Sequence, residues 1–480
     1  MVSAQQVEKK ITVPAQFEGK FDSTHTLSLD KRFNVSLYYI GGLEWPRYMS
    51  MSPSGVLHIA DLGTHTVYAI KDTNNDGVGD TAIGVTPPVD SVHCVAFYKQ
   101  YLLAAEPTRV RKFEDTDGDG FYETELPYIT GIGGAGTPPN HFTRTLYIDS
   151  EAGYIYVTVG APCNACRTDD TTRAAVLRFN LDGTGRMVYA KGLRNAIGIS
   201  KDPFGNMWVT NADRNFTSDD HPREMITHIR EGGFYGWPLA FEDHQWDDFS
   251  ENSTFPEYHA MLPITHDDSI KVENMDLADI YLTAHSTPMA IMLLQQSTQL
   301  YDGVPTFLVS VHGSYLTSRT VATGYNMIKV QYNFTTKQWV ASPFADGFLT
   351  DSLTYNYWAR PCGLLEDSVH HAIYLSSDAG TKAIFKLTVN SEGAVKSQPT
   401  LNEIKLYPNP AHSSFTVAIP RTSAHASVEV FDLLGRPAAI STVGVASGIQ
   451  VQLLEAQPAS RLFCRVKTAN TETILPLIIE

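Results

Sequence analysis

The chain has 480 residues, of which 43% are hydrophobic and 18% charged, and its formal net charge is -16. Such an acidic surface repels nucleic-acid phosphates, so no nucleic-acid partner is expected. No apolar run approaches the roughly 20 residues of a membrane helix, and the start "MVSAQQVEKK" has no signal-peptide core. We therefore expect a protein that either is cytosolic or lacks its true start in this sequence.

Short β-rich runs broken by Gly, Pro, Asn and Asp recur along the chain and predict an all-β protein. Six stretches repeat one plan of strand, turn, strand, short loop and strand. In chain order they lie at 50–70, 96–114, 147–183, 199–229, 306–332 and 364–387. One such sheet cannot bury both of its faces, but six sheets packed radially cover each other. We therefore predict a six-bladed β-propeller over residues 25–392, after an N-terminal segment of residues 1–24.

The longest gap between two repeats and the end of the chain follow different patterns. Residues 244–268 separate the fourth and fifth repeats and are predicted to form a lid or a rim insertion. The repeats stop at a predicted linker, residues 393–404. The alternating strands of residues 405–480 have the size of a small β-sandwich, which we predict as a C-terminal domain.

Polar side chains stand at the entry of the strand that precedes each turn, and every repeat offers Arg or His there. These residues are Arg47, His93, His141, Arg144, Arg194, Asn195, His285 and Arg360. The innermost strands of a propeller surround its axis, so their heads open at one end of the central funnel. Unpaired arginines are rarely buried, and guanidinium forks suit carboxylates and phosphates. The ring therefore predicts a polyanionic small ligand on the axis. The alternative is that these residues pair with acidic residues of neighbouring blades as structural ties.

Nine stretches match a known family in the same order along the repeats. They are "VHCVAF", "NHFTRTLYI", "VGAPCNAC", "LRNAIGI", "NADRNFTSDDHPREM", "GGFYGWP", "HGSYLTSR", "TGYNMIKV" and "ARPCGLLEDS". Through them the chain resembles the soluble pyrroloquinoline-quinone (PQQ)-dependent aldose dehydrogenases, and among these the L-sorbosone dehydrogenase-like branch. The resemblance implies a six-bladed propeller, a tricarboxylic quinone cofactor, and oxidation of an aldose or sugar aldehyde with an external electron acceptor.

The resemblance also implies roles for the residues at the strand heads. His141 matches the general base that takes the proton from the sugar C1 hydroxyl while hydride leaves C1 for the quinone. Arg194 matches the cation beside the quinone carbonyl where negative charge develops, and Asn195 matches a polar neighbour that holds the same end of the cofactor. Further cofactor contacts are implied for His93, Arg144, Arg319 and Arg360. Substrate contacts are implied for His93, Asn140 and His285.

One calcium ion lies against the quinone in the family. The loop "NADRN" matches its binding loop, so the backbone carbonyls of Asp213 and Arg214 are implied as ligands, and oxygen donors suit calcium. The sequence departs from the family pattern at two points. Asn140 stands where an acidic or His residue often precedes the catalytic His, and no lysine near "GSYLTSR" matches the lysine that clamps the cofactor.

The end of the chain carries a second resemblance, through "LYPNPAHSSF" and "VEVFDLLGR", to the C-terminal sorting domain of the type IX secretion system. It implies a secreted or cell-surface protein of a Gram-negative bacterium that engages the secretion machinery and whose signal peptide this sequence lacks. Export agrees with a disulfide between Cys163 and Cys166. The residues by themselves favour either a short disulfide loop or two reduced structural thiols.

Two acidic loops, residues 72–80 and 115–123, open like EF-hand calcium loops. Each has oxygen-bearing side chains at positions 1, 3 and 5 and Gly at position 6. The twelfth position, which should be Glu, is Ile83 in the first loop and Leu126 in the second. We therefore predict outer hairpin turns, with at most weak calcium binding, away from the active site.

Two other functions are compatible with a propeller. A calcium-dependent lactonase or esterase would gather side-chain carboxylates and Asn on an axial calcium, and the Arg and His ring argues against it. A non-catalytic propeller that binds carbohydrate or protein after losing its cofactor is the second alternative.

Overall fold

The computed structural model describes residues 6–133, 141–215, 218–295, 298, 300–315, 319–390, 405–407, 411–418, 426–432, 435–445, 448–455, 460–468 and 472–479. Asn140 and the predicted linker 393–404 lie outside the described residues. The chain divides into two compact units, of which the first ends at Asn390 and the second holds residues 391–480 together with residues 203–205 and 334–336.

The chain starts with three strands whose sheets are completed by residues far along the sequence. They are β1 (Gln6–Lys10), β2 (Thr26–Asp30) and β3 (Phe33–Ile40), with a 3-10 helix at Ala15–Phe17. β1 pairs antiparallel with β2, and both belong to a sheet of the first unit. Part of the segment predicted to precede the propeller, residues 1–24, is therefore built into a sheet of this unit.

Three antiparallel meanders of four strands follow. The first sheet contains β4 (Pro46–Met51), β5 (Leu57–Asp61), β6 (Thr66–Lys71) and β7 (Thr81–Gly84). The second contains β8 (Cys94–Tyr98), β9 (Tyr101–Ala105), β10 (Arg109–Glu114) and β11 (Thr124–Thr130). The third contains β12 (Leu146–Asp149), β13 (Tyr154–Val159), β14 (Ala175–Asn180) and β15 (Met187–Lys191). The third sheet also gains a fifth strand, β19 (Gly233–Phe234), which pairs parallel with β15.

The fourth sheet is interrupted by an insertion, residues 230–279, which contains the predicted insertion 244–268. Its strands are β16 (Ala196–Lys201), β17 (Met207–Asn211), β18 (Glu224–Ile229) and, after the insertion, β22 (Ile280–Leu282). The insertion holds β19 (Gly233–Phe234), β20 (Ala240–Phe241), β21 (Gln245–Trp246), a 3-10 helix at Pro256–Met261 and α1 (His266–Glu273). Thr265 and Asp268 start α1 with a capping box. Among the described residues, no helix has the length and apolar character needed to cross a membrane.

The last two sheets of the first unit recruit the N-terminal strands. The fifth contains β23 (Pro288–Leu293), β24 (Thr306–Val311), β25 (Asn326–Asn333) and β26 (Gln338–Asp346), and is extended by β2 and β1. A short hairpin follows, β27 (Leu349–Asp351) with β28 (Asn356–Tyr357). The sixth contains β29 (Ala359–Asp367), β30 (Ala372–Gly380) and β31 (Ala383–Val389), and β3 is its outer strand.

The first strands of the six sheets pack against one another in a closed order. β4 contacts β8, β8 contacts β12, β12 contacts β16, β16 contacts β23, β23 contacts β29, and β29 returns to β4. Apolar side chains between the sheets are buried and form the core. This radial arrangement confirms the predicted all-β class and propeller architecture. It also places the starts of the six inner strands next to each other.

The described residues of the second unit form two antiparallel sheets. One contains β32 (Lys405–Tyr407), β33 (Ser414–Ala418), β35 (Ile440–Val445) and β36 (Gly448–Leu453), and the other β34 (Ala426–Asp432), β37 (Ser460–Thr468) and β38 (Glu472–Ile479). Phe415 and Val451 of one sheet and Val430 and Leu462 of the other belong to one buried apolar core. That this unit is a β-sandwich that serves in secretion stays a prediction.

Candidate active site at the heads of the inner strands

The structure brings the predicted polar residues together, because each lies in or just before the first strand of its sheet. Arg47 is in β4 and Arg360 is in β29. His93 precedes β8, and Arg144 precedes β12. Arg194 and Asn195 precede β16, and His285 precedes β23. Burial, followed by the charges of Arg47 and Arg144, holds the pKa of His93 well below its ordinary value. The charges of Arg47 and Arg144, which belong to the first and third sheets, therefore act on His93 of the second sheet.

His93 and Arg144 are fully buried and keep hydrogen-bonding atoms without partners among the described residues. Neither ring nitrogen of His93 has a partner, and the Nε and Nη2 atoms of Arg144 have none. The Nη1 of Arg144 donates to the carbonyls of His141 and Thr143 at 2.8 and 2.7 Å. Burial, then the charge of Arg173, lowers the pKa of Arg144 to about 9. Buried polar atoms are normally partnered, so this part of the ring has the donors that a bound anion would satisfy.

His141 presents one ring nitrogen to the site. Its backbone is in the left-handed region, with φ 51°, a strain that concentrates at functional sites. Its Nδ1 lies 2.8 Å from the Ala161 carbonyl oxygen; since the carbonyl only accepts, Nδ1 carries the hydrogen and Nε2 the lone pair. Burial, followed by the charge of Arg194, keeps the pKa of His141 well below its usual value. The imidazole is therefore neutral at physiological pH.

Asn195 lies beside His141, and Gly160 makes this approach possible. A Cβ at Gly160 would lie 2.5 Å from both the Asn195 Oδ1 and the His141 Cβ. The backbone N–H of Asn195 donates to Asn211 Oδ1 at 2.9 Å, while Asn195 Oδ1 is buried with no partner in the described chain. The structure thus places an open amide oxygen next to the predicted base.

Arg194 is 5% exposed, and carbonyl oxygens surround its guanidinium. Its Nε and Nη2 donate to the main-chain oxygen and the Oδ1 of Asn164 at 3.1 and 2.8 Å. Its Nη1 donates to the Asp213 carbonyl at 2.7 Å. Burial lowers the pKa of Arg194 to about 10, opposed by Asp213 and Glu224. The side chain therefore remains a cation at neutral pH.

The predicted metal loop is fixed by three buried charged side chains. The Asp213 N–H donates to Glu224 Oε2 at 2.6 Å, and burial raises the pKa of Glu224 to about 8. Arg214 is fully buried and forms ion pairs with Asp213 Oδ1 at 3.2 Å and Asp247 Oδ2 at 2.9 Å. The carbonyl of Asp213 already accepts from Arg194 and has a second lone pair for a cation.

His285 and Arg319 lie near each other on the next part of the ring. His285 has φ 63° and is 2% exposed, and its Nε2 lies 2.6 Å from the Ser218 carbonyl. Arg319 donates through Nη1 to the Asp219 carbonyl. Within the described residues, His285 Nδ1 and Arg319 Nε are buried without partners. Each of these two side chains thus keeps one polar atom unpartnered in the described chain, whereas His93 and Arg144 keep two each.

Two residues that sequence reasoning missed, His312 and Asp378, complete the ring. Asp378 pairs with Arg47 at 3.0 Å and with His312 Nε2 at 2.8 Å. Arg360 donates to the carbonyls of His312 and Gly313 at 3.1 and 2.6 Å. Arg47 therefore joins the first and the sixth sheets through Asp378. At this position the alternative prediction holds, in which a ring residue pairs with an acidic residue of a neighbouring sheet as a structural tie. The sequence offered no signal, because Asp378 is far from both partners along the chain.

The remaining sequence motifs lie elsewhere. The acidic loops 72–80 and 115–123 connect β6 to β7 and β10 to β11, so the predicted outer hairpin turns are confirmed. Ligand atoms of Asp115, Asp117 and Glu123 lie within 4.8 Å of one another on the second of these turns. Cys163 and Cys166 form a disulfide, which decides between the two alternatives that the sequence left open.

Residues 28–390 match the family model described as TrAA12-like. The chain belongs to the TrAA12-like family. This TrAA12-like chain is similar to the Trichoderma reesei Carbohydrate-Active Enzymes Family AA12 protein, which has been solved as an iodide structure and as a calcium structure. The match to the iodide structure covers 76% of this chain and 98% of that chain, with 19% sequence identity and a TM-score of 0.62.

Two further solved structures share the fold of this TrAA12-like chain. One is the holo form of the pyranose dehydrogenase PQQ domain from Coprinopsis cinerea, at 17% identity over 78% of this chain and 98% of that chain, with a TM-score of 0.59. The other is the PQQ-bound aldose sugar dehydrogenase from Streptomyces coelicolor, at 14% identity over 75% and 100%, with a TM-score of 0.50. The propeller of the TrAA12-like chain is thus one that other proteins use to hold PQQ.

Proposed function

We propose that this TrAA12-like chain is a PQQ-dependent dehydrogenase that oxidises an aldose or a sugar aldehyde at C1 and passes the electrons to an external acceptor. The observation that carries the proposal is the ring of buried cations and imidazoles, in which His93, Arg144 and Arg319 keep hydrogen-bonding atoms without partners in the described chain. We take each of the six sheets as one blade, so the site lies on the axis of a six-bladed propeller.

The donors of the ring fit the chemistry of a tricarboxylic quinone. Arg144 and Arg319 each keep at least one buried unpartnered nitrogen, and Arg360 presents its guanidinium between Tyr315 and Tyr325 at 4.6 and 5.1 Å from the ring centres. Charge-assisted bonds to carboxylates are about twice as strong as neutral ones. These residues, with His93, would hold the acid groups of PQQ. Without a bound anion, buried donors of these side chains would have no hydrogen-bond partner.

When bound, PQQ supplies the two-electron acceptor, and the chain supplies proton transfer and electrostatics. His141 Nε2 takes the proton of the sugar C1 hydroxyl, since Nδ1–H is fixed on the Ala161 carbonyl. Arg194, a buried cation held by carbonyl oxygens, stabilises the negative charge that develops beside it. Asn195, with its open Oδ1, orients the same end of the site, and His93, Asn140 and His285 contact the sugar.

The loop after β17 is the proposed calcium site. The Asp213 and Arg214 backbone carbonyls would serve as hard oxygen ligands. Arg214, paired with Asp213 and Asp247, keeps its guanidinium turned into the protein. Glu224, whose Oε2 accepts from the Asp213 N–H, holds the loop from the other side.

We also propose that the chain is exported to the cell surface or medium of a Gram-negative bacterium and that its second unit engages the type IX secretion machinery. The support is the resemblance of "LYPNPAHSSF" and "VEVFDLLGR" to sorting-domain motifs. Cell fractionation of a type IX-competent host that expresses the chain behind a signal peptide tests this. Removal of residues 391–480 should leave the protein in the periplasm, and normal release without them would contradict it.

The enzymatic proposal is tested by adding PQQ and calcium to the purified protein and measuring quinone binding and sugar-dependent dye reduction. Saturable binding with turnover of at least one aldose or sugar aldehyde is expected. No binding at micromolar quinone would refute the proposal. Binding without turnover of any sugar would instead favour a non-catalytic carbohydrate- or protein-binding propeller.

A calcium-dependent lactonase is the enzymatic alternative, and the side chains argue against it. Among the described residues, the group of three close metal-binding side chains is Asp115, Asp117 and Glu123, on an outer turn and not at the inner strand heads. Lactone hydrolysis that needs calcium but no quinone would favour this alternative.

A further inference from the structure

The disulfide loop between β13 and β14 reaches the proposed site. Cys163 and Cys166 are bonded to each other, and both pack against a small apolar cluster that includes Trp237. Asn164 lies inside the loop that this bond closes. A covalently closed turn of this size restricts the backbone of the residue it contains.

Asn164 uses both of its oxygens on Arg194. Its main-chain oxygen accepts from Arg194 Nε at 3.1 Å, and its Oδ1 accepts from Arg194 Nη2 at 2.8 Å. Two neighbouring donors of one planar fork are therefore bound by a single residue, which fixes the plane of the guanidinium.

Asn164 is itself held by three other residues. Trp237 Nε1 donates to its main-chain oxygen at 2.9 Å. The Asn215 N–H donates to Oδ1 at 3.0 Å, and the Nδ2 of Asn164 donates to the Asn215 carbonyl at 3.1 Å. Nδ2 also lies 3.2 Å from the Tyr258 hydroxyl. Tyr258 belongs to the apolar core of the rim insertion, so the insertion and the disulfide loop meet at this side chain.

We propose that Asn164 is a positioning residue that orients the Arg194 guanidinium. The proposal rests on the proposed function for its catalytic consequence, but the contact itself exists without a cofactor. Among the described residues, the other partners of Arg194 are two main-chain carbonyls. Its Nη1 donates to the carbonyl of Asp213 at 2.7 Å and to that of Ala212 at 3.5 Å. Loss of the Oδ1 contact frees Nη2, and a charge that is misplaced by about 1 Å loses much of its effect on the reaction.

Three variants separate this role from a general structural one. Asn164→Ala removes both the acceptor for Arg194 and the Nδ2 donor. Asn164→Asp keeps an acceptor at the same place but loses the donor to Asn215 and Tyr258. Tyr258→Phe removes one partner of Nδ2 and leaves the Arg194 contact untouched.

The first measurement uses the quinone-free full-length protein labelled with 15N-arginine. A guanidinium with restricted rotation gives separate Nη–H signals in NMR spectra, and those of Arg194 are identified by their loss in Arg194→Lys. We expect them in the wild type, Asn164→Asp and Tyr258→Phe, and expect them to collapse in Asn164→Ala. Signals retained in Asn164→Ala, collapsed equally in Asn164→Asp, or absent from the wild type would overturn the proposal.

The second measurement uses the quinone-loaded protein. Asn164→Ala should lower kcat about tenfold or more with little change in KM for the sugar, as loss of a bond to a charged group implies. Asn164→Asp should recover most of the loss, and Asn164→Ala should have no further effect in an Arg194→Lys background. Equal losses for Ala and Asp, or additive losses in the double variant, would overturn the positioning role. A wild type that binds no quinone would refute the proposed function, while the NMR result would still decide whether Asn164 holds Arg194.

Discussion

His141 is the residue on which the proposed chemistry depends most directly. The Ala161 carbonyl fixes its tautomer, so the free Nε2 is an acceptor. We predict that His141→Ala loses sugar turnover by at least about a hundredfold, the usual size of a general-base contribution, and keeps quinone affinity. Stopped-flow reduction by sugar and equilibrium quinone titration measure the two quantities. Normal turnover in His141→Ala would show that another group is the base.

The pH dependence of the reaction follows from the same side chain. Burial and then Arg194 lower the pKa of His141, so the neutral base persists below pH 6.5 and activity is lost only as pH falls through the lowered value. We predict an acid limb of kcat/KM below about pH 6.5, the ordinary pKa of His. In Arg194→Ala, which should also slow the reaction by orders of magnitude, the limb should move to higher pH. An acid limb that stays at the same pH or moves to lower pH in Arg194→Ala would contradict the electrostatic coupling between Arg194 and His141.

Gly160 sets the distance between His141 and Asn195. A methyl group there would lie 2.5 Å from atoms of both residues, so we predict that Gly160→Ala displaces them and lowers kcat about tenfold or more. Gly444→Ala is the matched control, because nothing lies within 4 Å of a Cβ at that position. Steady-state kinetics of the two variants measure the effect. Equal activity of both would mean that the contact at Gly160 is relieved without moving the base.

At the scale of elements, the loop after β17 and the rim insertion are joined by the buried Arg214–Asp247 ion pair. We predict that Asp247→Ala lowers the free energy of unfolding of the calcium-free protein by about 3 kcal/mol, because it leaves a buried cation with one fewer partner. Asp243→Ala removes an exposed carboxylate of the same insertion and serves as the control. Denaturant unfolding measures both. A change below about 0.5 kcal/mol in Asp247→Ala, the range of surface substitutions, would contradict this account.

The elements also show what sequence alone can predict. Arg194 was found because six repeats place Arg or His at the same strand entry, a signal carried by local order. Asn164 and Asp378 were missed because their partners are distant in sequence: Asn164 and Tyr258 are 94 residues apart, and His312 and Asp378 are 66 residues apart. Sequence pattern thus predicts the inner strands and their polar heads, whereas loop-to-loop contacts depend on how the sheets pack.

At the scale of the whole molecule, the N-terminal strand β3 closes the sixth sheet by pairing with β31, and the first unit ends at Asn390. We predict that a chain ending at Asn390 unfolds cooperatively and binds quinone as the full chain does. A chain that starts after Ile40 lacks three strands and should not fold. Circular dichroism and thermal unfolding test both truncations. A folded protein without residues 1–40 would show that closure by β3 is dispensable.

The central claim is that the buried ring of cations at the inner strand heads holds PQQ. Equilibrium titration of the full-length protein with PQQ in the presence of calcium, followed by intrinsic fluorescence, tests it most directly. We predict saturable binding at micromolar quinone or below, weakened about tenfold or more in Arg144→Ala. Arg178→Ala removes a partly exposed ion pair between Arg178 of β14 and Glu231, and this variant should bind like the wild type. No saturable binding, or equal affinities for the wild type and Arg144→Ala, would contradict the account.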